Sequence, residues 1–338
     1  SAVFHTSSLQ KQVAALSDAF AIAGEFLHCD VINSGHINMT FRATYRKPDG
    51  TTRRYIFQRV NDAVFPCPRD VMHNVEKVTN HIRWKMLRVL KTPFRQTLNL
   101  YSARGGRKYL EIPGSGFWRC YNCIENTHTF DVADHPRQAY EAARAFGAFQ
   151  QLLCDMNPED IHETIPFFHH TRRRFDHLEK AAAADSHGRL NTCRKELDFI
   201  RRRERYVDTV MPGSVLYDFG DMVRTMTSPA AEDEENLDKT FLRMPMFEAV
   251  VKGYLEAARD FITPQEVSKL AFSGLLITLE TGIRFLTDYL EGDVYFKTKK
   301  ERHNLHRART QLRLVESMEE QMPEMEECVR KCFQTVNG

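Results

Sequence analysis

The sequence predicts an α+β fold of two lobes. A small antiparallel β-sheet lobe with one helix occupies residues 1–126, and a larger, mainly helical lobe occupies 127–338. Three observations predict this. Short period-two runs flank turn signals between about residues 30 and 125. A single 3.6-period run interrupts them. From Asp134 onward the apolar residues recur at helical spacing almost throughout.

In chain order, INMTFRATYR and TTRRYIFQRV flank Lys47-Pro48-Asp49-Gly50, a strong hairpin signal. DVMHNVEKVTNHIRWKML follows with Val71, Met72, Val75, Val78 and Ile82 on one helical stripe, after Pro66 and Pro68 and with Asp70 as cap. TLNLYSAR and RKYLEI flank Gly105-Gly106 as a second hairpin, and GFWRCYNCI is the last strand. The second lobe opens with PRQAYEAARAFGAFQQLLCDM, with Pro136 at its first turn. RFDHLEKAAAA, CRKELDFIRRRERYV and FEAVVKGYLEAARDF are further helices. PQEVSKLAFSGLLITLETGIRFLTDYLEG is apolar almost all round and predicts a buried core helix. TKKERHNLHRARTQLRLVESMEEQM is charged and predicts an exposed final helix.

The 338 residues carry 47 Lys plus Arg against 45 Asp plus Glu, a net charge of +2. That balance argues against a dedicated nucleic-acid or membrane-surface protein. The expectation is no nucleic-acid partner, no membrane span and a reduced, cytoplasmic setting. No stretch approaches the roughly 20 apolar residues of a span. The first residues lack the basic end and apolar core of a secretory signal. Eight cysteines are too sparse for a disulfide scaffold, and the Cys120/Cys123 pair has no second pair at zinc spacing.

Several residues could carry chemistry. Gly35, in SGHINMTFRATY, would let backbone amides approach a phosphate, with Asn38 and Thr40 adding polar contacts. An ordinary tight turn explains the same residues. In YIFQRVN, Arg59 could clamp a phosphate while Gln58 faces the other way, and Glu76 could pair with that cation. His36 could donate toward a sugar hydroxyl. VDTVMPGSVLYDFGDMVR holds Asp208, Asp218, Asp221 and Arg224. Asp208 could ligate Mg2+ or accept from a substrate hydroxyl, before a turn at Pro212-Gly213. Asp218 could cap a helix beginning near Phe219, and Asp221 with Arg224 form an i, i+3 pair. The triplet DFG tempts comparison with protein kinases, but no HRD-type loop precedes it and no APE-type segment follows. Arg284 lies among apolar neighbours with Glu280 at i−4 as partner, and Tyr295 follows in GDVYFK. Each of these isolated residues also has a purely structural reading.

GHINMTFRATY, YIFQRVNDAVFPCPRDVMHNVEKVTNHI, DTVMPGSVLYDFGDMVR and ITLETGIRFLTDYLEGDVYF with NLHRARTQ occur in this order. Together they resemble N-acetylhexosamine 1-kinases, in the aminoglycoside-phosphotransferase and choline-kinase superfamily, from about residue 30 to about residue 320. The resemblance implies a two-lobed kinase-like fold. It implies ATP- and Mg2+-dependent phosphorylation of the anomeric hydroxyl of N-acetylglucosamine or N-acetylgalactosamine. By position, His36, Asp208, Arg284 and Tyr295 match sugar contacts. Gly35, Asn38 and Thr40 match the nucleotide turn, Ile124 to Asn126 the adenine-binding hinge, and Gln58-Arg59 the phosphate-facing strand. Between those two, the phosphate's need for a positive charge favours Arg59.

The departure from the pattern is large. An HNDTKxNN-like loop, which supplies the catalytic base and a metal ligand, is absent, and DTVMPG follows RRRERYV directly. Asp208 matches the second aspartate of IDLDTVMPG, and Tyr206 stands where the metal ligand would be. Catalytic base and metal ligand therefore stay unassigned. Without a floor to the cleft, the helix at 270–290 would be exposed and Arg284 would lose its setting, which argues for a further segment between Arg203 and Asp208. The alternative is a catalytically dead, pseudokinase-like sugar- or nucleotide-binding protein.

Overall fold

Phe41, Ala43 and Tyr45 are buried, while Arg42 and Thr44 between them are partly exposed. That alternation makes a strand with one packed face, and it recurs through the first part of the chain. The computed structural model describes residues 2–32, 37–90, 98–209, 211 and 215–338, and for 2–9, 89 and 90 the backbone alone. Two compact units emerge: 1–128 with 155–166, and 129–154 with 167–338.

In the first unit, helix α1 (Ala2–Ala19) precedes strands β1 (Glu25–Ile32), β2 (Met39–Arg46) and β3 (Thr52–Val60). Helix α2 (Pro68–Lys85) follows, ending in a π-helical turn at Met86–Leu90, then β4 (Leu110–Ile112) and β5 (Gly116–Asn122). The strands form one antiparallel sheet in the order β1-β2-β3-β5-β4. The Lys47–Gly50 turn closes as its residues predict, with Gly50 N–H donating to Lys47 O at 2.9 Å and Gly50 at φ +81°. One sheet face packs Phe41, Phe57 and Trp118 with Val13 and Leu16 of α1 and with Phe20 just beyond it. Across the sheet, Val60 and Phe117 pack with Met72 of α2.

Three expectations need correction here. Asp70 does not cap α2: Cys67 holds that position without a side-chain bond, and Asp70 lies in the first turn. The Gly105-Gly106 turn does close, Ala103 N–H donating to Arg107 O at 2.7 Å, but no ladder extends from it. Leu110–Ile112 pairs with β5 instead, across a turn through Gly114 (φ +75°) that Ser115 N–H closes by donating to Ile112 O at 3.0 Å. Helix α1 and strand β1 had no counterpart in the sequence reading. Nor did the return of 155–166, where Asp155 accepts from His81 and Lys85 and His162 bonds Asn74.

The second unit comprises α3 (Pro136–Leu153), α4 (Thr171–Ala184), α5 (Arg194–Arg201), α6 (Glu204–Val207), α7 (Val215–Met226), α8 (Met244–Ala258), α9 (Pro264–Val267), α10 (Leu270–Leu290) and α11 (His303–Asn337). Helix α10 is its axis, packed by α11, α7 and α4. From Leu270 to Leu290 only Phe272, Thr281 and Arg284 escape full burial. The buried core helix predicted from its all-round apolarity is what forms, and α11, α7 and α4 cover it, so its burial does not call for a further segment. It is also, among the described residues, one helix apolar and long enough to cross a membrane, correcting the sequence reading, and 83 % of its most apolar window is buried inside the fold. Helix α11 is not an exposed face either. Leu305, Leu312, Val315 and Met318 make a buried stripe hidden among its charges.

Helices α3 and α8 cross at glycine contacts. A Cβ on Gly253 would stand 2.1 Å from Tyr140 O, and one on Gly147 would stand 2.9 Å from Tyr254 O. Two backbones come that close only where side chains are missing.

Candidate functional site

Within the sheet, Thr40, Gln58 and Arg119 stand in one row across β2, β3 and β5. Opposed residues of antiparallel strands share a face, and here the three bond in series. Gln58 Nε2 donates to Thr40 Oγ1 at 2.9 Å, while Gln58 Oε1 accepts from Arg119 Nε at 2.9 Å and Nη2 at 2.5 Å. The Arg119 guanidinium lies by the Met72 sulfur and is held below the usual arginine value by burial. Arg119 is a cation the sequence reading missed; its signal was the alternation of β5, which sets it beside Phe117 and Tyr121.

Arg59 points to the opposite face, against Gly116, where a Cβ would meet its Nε at 2.5 Å. It lines an open groove with Arg69, Arg107 and Asp62. Glu76 is exposed, and no ion pair joins it to Arg59 among the described residues. Asn38 Oδ1 accepts from the backbone N–H of Asn61 at 2.9 Å, tying the start of β2 to the end of β3. Past β5, Ile124 is exposed and Asn126 takes φ +58°, with Arg54 and Glu125 paired beside them. Gly35, His36 and the Pro212-Gly213 turn lie outside the described residues.

In the helical unit, Arg284 and Tyr295 do come together. They line a cavity of about 70 Å³ with Arg174, Asp288, Glu291 and Phe296. The Arg284 guanidinium carbon lies 4.6 Å from the ring centre of Phe168, 5.7 Å from that of Tyr295 and 5.4 Å from that of Phe296. Burial first, and then the neighbouring Arg174, pull Arg284 below the usual arginine value. Glu280 is not its hydrogen-bonded partner. That carboxylate, 2 % exposed, bonds His169 Nδ1 at 3.0 Å and accepts from Thr171 Oγ1 at 2.6 Å, both reaching it from the start of α4. The His169 ring stacks on Tyr217 at 4.4 Å.

The acidic segment has a different shape from the one expected. Asp208 ends α6, and Asp218 stands on α7. Arg172 Nε and Nη2 hold both Asp208 oxygens, at 2.8 and 2.5 Å, and Arg172 Nη1 reaches Glu204 at 2.7 Å. Arg172 thereby depresses the Asp208 carboxyl below the usual aspartate value. Tyr206 donates to Glu319 at 3.0 Å and packs on Phe272. Asp218 sits inside the first turn of α7 and is not its cap. It accepts from Gln150, which accepts from Tyr254 at 2.6 Å, and burial pushes its carboxyl up. The Asp221–Arg224 pair forms at 2.8 Å, and Arg224 also reaches Glu232. Among the described residues, no three of His, Cys, Asp and Glu converge as metal ligands. Mg2+ does not fit at Asp208, because a guanidinium already takes both oxygens.

No protein-family profile matches the chain. Two solved structures are similar to it at low identity. An aminoglycoside phosphotransferase from Alicyclobacillus acidocaldarius is 10 % identical, with a TM-score of 0.39 over 96 % of this chain and 96 % of that one. A Ralstonia eutropha protein, provisionally described as an aminoglycoside phosphotransferase, is 10 % identical with a TM-score of 0.46, over 95 % and 97 % of the two chains.

Proposed function

We propose that this chain is a kinase-like phosphotransferase acting on a small polar molecule. The acceptor is the anomeric hydroxyl of an N-acetylhexosamine, and ATP with Mg2+ is the donor. One observation supports the reading: Arg284 and Tyr295, the two described residues of the helical unit that the resemblance matches to sugar contacts near the end of α10, line one cavity. An aromatic ring beside a guanidinium suits a sugar, offering stacking to its apolar face and fixed donors to its hydroxyls. Thr40, Gln58, Ile124 and Asn126 are the described candidates for nucleotide contact on or beside the sheet. Arg59 and Arg119 are candidate cations for its phosphates, on opposite faces of the sheet. The test is ATP consumption across N-acetylglucosamine, N-acetylgalactosamine, choline and homoserine. Turnover with an N-acetylhexosamine alone is expected; turnover with choline alone overturns the reading.

The Arg172 clamp on Asp208 favours a second reading, in which the chain binds its ligands and transfers nothing. Calorimetry would then register the sugar without product at any Mg2+ concentration. Product formation removes this alternative.

A further inference from the structure

Arg174 and Arg284 reach one ring from two helices. Their guanidinium carbons lie 5.5 and 4.6 Å from the centre of Phe168, and both side chains line the same cavity. Arg174 is anchored there, its Nε and Nη2 donating to Phe168 O at 3.2 and 3.1 Å. No carboxylate pairs with either guanidinium among the described residues. The acids at the cavity wall are committed elsewhere. Asp288 accepts from the backbone N–H groups of Val294, Tyr295 and Phe296 and from Asn304. Glu291 is taken by His177 at 2.6 Å.

Two like charges side by side, with no carboxylate hydrogen-bonded to either, repel each other and lose hydration. Arginine is the side chain whose planar fork suits phosphate and carboxylate, and a bidentate oxyanion would satisfy both forks together. Both arginine side chains line this one space of about 70 Å³.

We propose that the Arg174–Arg284 cavity binds an oxyanion, a phosphate or carboxylate carried by a small-molecule ligand. The inference rests on the preceding reading only in taking the rest of that ligand to be a sugar. The oxyanion itself is tested with neither ATP nor turnover.

The experiment is calorimetry on the full chain at about 0.15 M salt, where surface attraction is screened over about 8 Å. The probes are inorganic phosphate, N-acetylglucosamine 6-phosphate, glucuronate and neutral N-acetylglucosamine. A charged sugar should bind at least about tenfold tighter than the neutral one. Arg174→Gln should remove that advantage, Arg174→Lys should keep part of it, and Arg173→Gln, on the same helix but outside the cavity, should leave it intact. Circular dichroism melts establish that each variant is folded, and the Lys variant serves if the Gln variant is not. Inorganic phosphate binding as tightly as the sugar phosphate supports the site with free phosphate as its ligand. Phosphate binding with no sugar binding at all would sink the sugar reading and leave this one standing. Equal binding of neutral and charged sugars, or an advantage untouched by Arg174→Gln, overturns it.

Discussion

Arg172 and Asp208 meet fork to fork, both carboxylate oxygens held by one guanidinium. Arg172 stands on the first turn of α4 and Asp208 at the end of α6, so the pair ties together two elements 36 residues apart in the chain. It also decides what Asp208 can do. A carboxylate saturated by a guanidinium is a poor base and a poor metal ligand.

The pair makes a titration prediction. Its depressed value means that Asp208 contributes stability above the unfolded aspartate pKa, and that this is lost as the pH falls through the folded value. Arg172→Gln should return the Asp208 carboxyl toward 3.8 in a carbon-detected NMR titration. At 63 % side-chain exposure for Asp208, the melting midpoint at neutral pH should hardly move.

Asp218 has the opposite sign. Burial raises its carboxyl, so its favourable contribution is present below the unfolded value of 3.8 and is lost as the pH rises through the folded one. Asp218→Asn keeps an acceptor for Gln150 and removes the buried charge. Urea melts should show the variant at least as stable as the parent at neutral pH, with a flatter dependence on pH. A clear loss of stability at neutral pH would contradict this.

Glu280 secures the start of α4 to the axis of the helical unit through His169 and Thr171. Glu280→Ala strands both partners and should lower unfolding free energy by about 1–3 kcal/mol, while Glu280→Gln should recover part of it. Denaturant midpoints at constant slope measure the difference.

Gly253 permits the crossing of α3 and α8. Gly253→Ala would press a methyl onto Tyr140 O at 2.1 Å, so the helices must separate. Overpacking of this kind costs about 1–3 kcal/mol, outweighing the helix propensity gained with alanine. A variant that melts at or above the parent would show that the two helices can separate at this crossing without cost.

Gln58 carries the first unit's counterpart. Gln58→Ala leaves Arg119 without its acceptor and should destabilise by about 1–3 kcal/mol, seen as faster amide exchange in β3 and β5. Gln58→Glu supplies a charge for the guanidinium and should hold the strands at least as well.

The alternation through Phe41, Ala43 and Tyr45 and the Lys47–Gly50 turn were enough to place the central hairpin, because period and turn chemistry are local. The helical stripe of α2 and the all-round apolarity of α10 were legible for the same reason, and so was the Asp221–Arg224 pair, one turn apart. Arg284 and Tyr295 were paired as sugar contacts only by the resemblance, since each taken alone reads equally as core packing. What the sequence could not decide were partnerships between distant residues. Glu280 lies one turn from Arg284 yet bonds His169 and Thr171, and Arg174 reaches the Arg284 cavity from another helix. Arg119 depends on a register set across three strands, and α11 hides a buried stripe under its charges. Spacing along a chain reports which face a residue takes; which distant residue meets it there depends on how helices and strands pack, and that geometry is settled only when the whole core closes.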